Sequence, residues 1–124
     1  MGAMMQGKVV VITGAGGGIG REFALLMARE GASVVVNDLG SSVGGEGHDA
    51  GPARRVADEI TAAGGKAIAN TDSVATWMSA HRIVQCAFDS VGRIDAVINH
   101  AGILRDRMFH KMNEEEWSSV IDVH

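Results

Sequence analysis

Residues Lys8 to Gly20 read KVVVITGAGGGIG, an apolar run that passes without a spacer into a glycine-rich turn. Val9, Val10, Val11 and Ile12 show no alternation of apolar and polar residues, the pattern of a strand buried on both faces of a parallel sheet. From Ile19 onward the periodicity becomes helical. Strand, glycine turn and helix N-terminus in that order bring free backbone N–H groups and the positive end of a helix dipole together where no side chain intervenes. That combination suits a phosphate.

Working outward, the first helix is expected from about Gly18 to Glu30, with Ile19, Phe23, Leu26 and Met27 as its apolar stripe and Gly31 as its stop. Ser33 to Asn37 is a second buried strand that ends in Asp38. Residues 40–51, GSSVGGEGHDAG, carry no periodicity and read as a mobile surface loop. Pro52 fits the first position of the next helix, whose buried stripe is Val56, Ile60 and Ala63 and which Gly64-Gly65 ends. KAIAN (66–70) is a third strand, and Thr71-Asp72-Ser73 is a turn in which Ser73 is the expected N-cap. The helix after it carries Val74, Trp77, Met78, Val84, Phe88 and Val91 at helical spacing and stops before Gly92. DAVIN (95–99) is the fourth strand. After the loop HAGILRDRMFHKM, Asn113 and Glu116 have capping-box spacing, Glu114 and Glu115 favour the positive helix end, and Trp117, Val120, Ile121 and His124 share one face. This alternation implies an α/β fold: a Rossmann-type doubly wound parallel sheet, incomplete at about four strands; the order 3-2-1-4 comes from the doubly wound rule, since sequence does not show pairing.

The composition sets limits on function. A chain of 124 residues, 46% hydrophobic and 21% charged, is one soluble-type domain. Its net charge of −4 and scattered cations argue against a nucleic-acid partner. Cys86 is the single cysteine, so no intrachain disulfide and no cysteine metal set is available, and it reads as a small core residue. His48, His81 and His110 have no metal-ligand spacing, so no metal is expected. No apolar run approaches the ~20 residues of a membrane span and no signal peptide is evident, so the expected setting is cytoplasmic. Met1 to Met4 reads as a tag remnant.

Within the turn, Gly14, Gly16, Gly17, Gly18, Ile19 and Gly20 are the candidate diphosphate-binding residues. Asp38, with Leu39 beside it, stands at the end of the second strand, where a carboxylate accepts both hydroxyl hydrogens of an adenosine ribose and repels a 2′-phosphate. Gly17 places no basic side chain there to meet such a phosphate. Both features favour NAD over NADP as cofactor. The plain alternatives are a ligand-free βα turn and an exposed loop acid.

TGAGGGIG (Thr13 to Gly20) resembles the TGxxxGxG motif of the short-chain dehydrogenases/reductases, and Asn99-His100-Ala101-Gly102 is similar to that family's NNAG motif. The likeness runs from about Gly7 to His124. It implies that Asp72 and Ser73 contact the adenine, and that Asn99, Ala101 and Gly102 flank the adenosine ribose and support the central strand. VNDLG (36–40), the glycine-rich loop before Pro52 and AGILRDRMF (101–109) resemble the (3R)-hydroxyacyl-CoA dehydrogenase modules of multifunctional β-oxidation enzymes and their bacterial relatives. The resemblance implies a 3-hydroxyacyl-CoA or a similarly bulky secondary alcohol or ketone as small-molecule substrate, and a homo-oligomer. Two positions depart from the pattern. His100 replaces the second Asn of NNAG, a simple swap, and His124 stands where many members place a catalytic Asn, as the VHL of the hydroxyacyl-CoA modules does.

Hydride transfer in that family uses a Tyr-x-x-x-Lys pair and a Ser. This chain has no tyrosine, and Lys8, Lys66 and Lys111 cannot supply the pair. No catalytic residue is therefore assigned here. The expectation is a single NAD-binding domain, the N-terminal half of an NAD-dependent oxidoreductase, inactive alone and with Ala96, Val97 and Ile98 as an exposed apolar edge. Two alternatives stay open: a non-catalytic dinucleotide-binding or assembly module complete as written, and an NADP-linked ketoacyl reductase, which Asp38 opposes.

Overall fold

Runs of β-branched residues make the strands. The computed structural model describes residues 2–40 and 50–124. Its strands are β1 (Val9–Thr13), β2 (Ser33–Asn37), β3 (Lys66–Asn70) and β4 (Ala96–Asn99), and its helices are α1 (Gly18–Arg29), α2 (Gly51–Ala62), α3 (Trp77–Val91) and α4 (Glu114–Val123). A 3₁₀ turn, Phe109–Lys111, interrupts the loop before α4. The strands are parallel in the order β3-β2-β1-β4, as expected, with Val10 opposite both Val34 and Ala96. Residues 41–49 of the expected glycine-rich loop, His48 among them, lie outside the described residues.

The sheet separates two apolar layers. Val10, Ile12, Val34 and Val36 pack with Ala24, Ala53, Val56 and Ile60 of α1 and α2. Val11 and Val35 face Ile83 and Ala87 of α3. Every residue of β1 is buried, as a central strand requires. Each fully buried Val or Ile contributes about 1.5–3 kcal/mol, so β1 and β2 together tie the two layers to the sheet.

The helix faces differ from the expected ones. In α1, Ile19 and Leu26 are exposed, while Gly20 and Ala24 lie buried and Phe23 and Met27 are partly buried beside the core. Small residues let the helix backbone approach the sheet, and larger ones flank the contact. Gly31 ends α1 as expected, with φ +98°. In α2, Ala63 is the exposed C-cap, and Ala53 and Ala57 join Val56 and Ile60 in the buried face. Pro52 is the second residue of α2, where a missing N–H is still harmless because that group has no helical partner.

The largest departure is α3. Trp77 is 84% exposed, and Met78, Val84, Phe88 and Val91 are exposed too; the buried face is Ser79, Ile83 and Ala87, with Cys86 partly buried at its side. The N-cap is Thr76, whose Oγ1 accepts from Ser79 N at 3.2 Å, and not Ser73. Ser73 Oγ accepts from Ala75 N in the turn ahead of the helix, so its oxygen is engaged before α3 begins. The capping box of α4 is present, with Glu116 N donating to Asn113 Oδ1 at 2.8 Å. The expected apolar face of α4 is not covered: Trp117, Ile121 and His124 are exposed, and Glu116, bonded to Arg107 Nε at 2.7 Å, is the buried residue.

β4 pairs with β1 alone among the described residues. Val97 is 48% exposed there, whereas Ala96 and Ile98 are partly buried against the core, so the expected apolar edge is confined to the outer side of this strand. At the start of β4, Asp95 Oδ2 accepts from Val9 N at 2.8 Å and from Arg93 Nε at 2.9 Å. The Arg93 hydrogen bond, then that of Val9, holds the Asp95 carboxyl below its ordinary value of 3.8. A carboxyl lowered by folding adds stability above its unfolded pKa and loses it as pH falls through the folded one. In urea denaturation, the stability gap between wild type and Asp95→Asn should therefore be full above pH 3.8 and close below it. A gap unchanged down to about pH 2 would show that the pair plays no such part.

Candidate functional site

The C-terminal ends of the strands open into a cleft of about 560 Å³. Its walls are Gly14, Gly16 and Gly17 of the glycine turn, Asp38 to Gly40 with Pro52, Asp72 to Val74, and His100 to Ile103 with Val123.

The turn is set by close approach. Thr13, 5% exposed, accepts at Oγ1 from His100 N and Ala101 N, both at 3.1 Å, and so ties the end of β1 to the loop after β4. Gly14 has φ +67°, and a Cβ on it would lie 2.8 Å from Ala101 Cα. A Cβ on Gly20 would lie 2.2 Å from Gly14 O, so α1 and the turn touch backbone to backbone. Gly17 is the N-cap of α1, extended and with no capping side chain. The first bond inside α1 is Arg21 N to Gly17 O at 3.1 Å, which leaves the earlier N–H groups without partners in the helix.

Two carboxylates form the opposite flank. Asp38 accepts from Gly16 N through Oδ2 at 2.8 Å and from Gly40 N through Oδ1 at 2.7 Å, leaving each oxygen a further lone pair. A Cβ on Gly16 would lie 2.8 Å from both Asp38 Cγ and Pro52 Cβ, so a side chain there would push the carboxylate off its present place. Asp72 accepts from Arg82 Nε at 2.9 Å and from Asn70 Nδ2 at 3.0 Å. Burial raises the Asp72 carboxyl, but the hydrogen bonds of Arg82 and Asn70 and the Arg82 charge outweigh it, and the net shift is downward. Behind both acids, buried Asn37 donates through Nδ2 to Asn70 Oδ1 at 2.8 Å and to Asp72 O at 2.9 Å.

Of the residues expected from sequence, Gly14, Gly16, Gly17, Asp38, Leu39, Asp72, Ser73, Ala101 and Gly102 all line this cleft. Gly18 and Ile19 lie exposed on the first turn of α1, and Gly20 is buried beneath the turn. Asn99 opens on a second hollow of about 420 Å³, with Thr13, Asp122 and His124 on its lining. His100 lines the cleft with its ring edge-on to Phe23, 5.8 Å between centroids, so the swap is packed against α1. His124 Nε2 lies 3.3 Å from Ile103 O. Sequence reasoning missed Asn37, Asn70, Arg82 and the role of Thr13. The β2–β3 register that sets Asn37 opposite Asn70 is the signal that joins the two amides.

The chemistry of the cleft is specific in sign. Unmatched N–H groups stand on one flank and two carboxylates on the other, and no lysine or arginine is among the described lining residues. Such a site fits an elongated group with an anionic centre and with hydroxyl or amine donors at one end. A nicotinamide dinucleotide meets that description.

The family model described as short chain dehydrogenase matches residues 8–124. The chain is 55% identical to the peroxisomal hydratase-dehydrogenase-epimerase of Saccharomyces cerevisiae, over 94% of this chain and 13% of that protein. It is 44% identical to a hydroxyacyl-CoA dehydrogenase of Mycobacterium tuberculosis, over 97% of this chain and 36% of that protein. A solved 7α-hydroxysteroid dehydrogenase, complexed with NADH and 7-oxo glycochenodeoxycholic acid, aligns with a TM-score of 0.84 at 32% identity over 97% of this chain and 43% of that one. The chain thus spans less than half the length of each. Among the described residues, no helix is long and apolar enough to cross a membrane.

Proposed function

The chain belongs to the short chain dehydrogenase family, and from that premise we propose that it is the NAD-holding part of an oxidoreductase acting on a secondary alcohol or ketone. The bound dinucleotide would supply the hydride acceptor. This chain's own work is binding and orientation: the glycine turn and the start of α1 hold the diphosphate, Asp38 takes the ribose hydroxyls, and Asp72 with Ser73 meets the adenine. The acid–base groups of the reaction would come from outside these residues, which include no tyrosine.

The observation that carries the choice of NAD is Asp38, fixed by two backbone N–H groups at a cleft wall that has no cationic side chain among the described residues. The NADH of the hydroxysteroid dehydrogenase complex supports it. The hydroxyacyl-CoA dehydrogenase relative supports a 3-hydroxyacyl-CoA as substrate. A homo-oligomer and a cytoplasmic setting complete the proposal; the peroxisome is named for the yeast relative.

Fluorescence titration of the full-length protein tests this. Wild type should bind NADH about 100-fold tighter than NADPH, since a carboxylate facing a phosphate costs affinity where two hydroxyls gain it. Asp38→Ala should weaken NADH about 10-fold and bring the two cofactors within about 3-fold. Equal affinities in the unmutated protein would remove the NAD assignment.

A further inference from the structure

We propose that Arg82 and the buried Asn37–Asn70 pair are positioning residues that hold the Asp72 carboxylate as a selector for a base bearing an exocyclic amine, an inference that rests on the dinucleotide reading above. Asp72 lies in the loop between β3 and α3, outside any regular element. A loop carboxylate would ordinarily sample several rotamers, and ordering it on binding would cost affinity. Here its freedom is removed on every side. Arg82 Nε holds Oδ1 at 2.9 Å and Asn70 Nδ2 holds Oδ2 at 3.0 Å. Its backbone is held as well, with Asp72 N donating to Asn70 Oδ1 at 3.0 Å and Asp72 O accepting from Asn37 Nδ2 at 2.9 Å.

The two asparagines extend this brace to the rest of the wall. Asn37 O accepts from Ala15 N of the glycine turn at 2.9 Å, and Asn70 O accepts from Asp38 N at 3.0 Å. Both amides are buried and mutually bonded, so the turn, Asp38 and Asp72 are fixed in one frame. Arg82 is different in kind. Its side chain is 58% exposed, and an ion pair so placed adds little stability. Its effect falls on the direction and ionisation of Asp72, whose carboxyl is held below its ordinary value. An ionised carboxylate only accepts hydrogen bonds. It rewards the amine of adenine and leaves the carbonyl of hypoxanthine facing a negative charge, a mismatch of two acceptors.

The test is a fluorescence titration of the full-length protein with NADH and with reduced nicotinamide hypoxanthine dinucleotide. Wild type should prefer NADH about 10-fold. Arg82→Met should bind NADH about 5-fold more weakly, bind the hypoxanthine analogue nearly as before, and show a preference of only about 2-fold. Arg82→Lys should restore part of the preference, because it returns the charge and a donor. A merely structural role would weaken both ligands alike, so equal losses or an unchanged ratio in Arg82→Met overturn the proposal. Equal affinities in wild type also overturn it and leave the NAD reading intact. Failure of wild type to bind NADH at all overturns that reading and this one together.

Discussion

Replacing Gly20 by alanine is expected to abolish dinucleotide binding and to destabilise the domain by about 3–5 kcal/mol. Propensity alone argues the other way, because alanine is favoured over glycine inside a helix by about 1 kcal/mol. Contact decides the sign. The added Cβ would stand 2.2 Å from Gly14 O and 3.0 Å from Gly14 C, and these are backbone atoms that cannot rotate away. It would also meet His100 Cδ2 at 2.8 Å. The helix must therefore withdraw from the turn, and Ala24 and Phe23 leave the core with it. Gly17→Ala is the matched control: its Cβ would meet nothing within 4 Å, and its φ of −175° suits any residue. That variant should keep its stability within about 0.5 kcal/mol. Urea denaturation and NADH titration of both variants check the pair, and a Gly20→Ala protein as stable as wild type would refute the packing argument.

Thr13→Val is expected to cost about 1–3 kcal/mol and to weaken the dinucleotide about 10-fold. The substitution keeps shape and removes one oxygen. That oxygen accepts from His100 N and from Ala101 N, both at 3.1 Å; His100 N also donates to Ile98 O, so Ala101 N is the group that depends on the hydroxyl. Ala101 N then goes unmet at about 1–3 kcal/mol, while His100 N keeps Ile98 O at 3.1 Å. The affinity effect follows because Ala101 and Gly102 form a cleft wall that Thr13 holds against β1. Thr13→Ser keeps the acceptor and should cost under about 1 kcal/mol. If valine and serine destabilise equally in urea denaturation, the hydroxyl is not the anchor.

The strands were legible because a buried parallel strand is apolar throughout, and Val9–Ile12 and Val34–Val36 say so directly; their order followed from the doubly wound rule and not from the residues. The glycine turn and Asp38 were legible because each has a conformational or electrostatic requirement that few residues meet. Helix faces were not. On α3 the apolar residues Trp77, Met78, Val84, Phe88 and Val91 outnumber the buried face of Ser79, Ile83 and Ala87, yet that face is the one turned from solvent. Periodicity registers apolar surface without saying what covers it. The brace behind the acids was hidden for another reason. Asn37 and Asn70 end their strands as ordinary polar residues, and they become a pair only when β2 and β3 lie side by side. The Asp72–Arg82 bond likewise joins a loop to a helix that begins later than Ser73 suggested.

The sheet order carries one more consequence. From β1 the chain leaves by α1 to β2 on one side, and it returns by α3 to β4 on the other. At the carboxyl end of the sheet the two neighbouring connections therefore diverge to opposite faces and leave a gap between them. The crevice is thus a product of winding rather than of any side chain that borders it. Substitutions at Asp38 or Asp72 alter what the crevice prefers, while those at Gly20 or Thr13 alter whether its rims stay together. Recognition and architecture are for that reason separable here, and a change of ligand requires no change of fold.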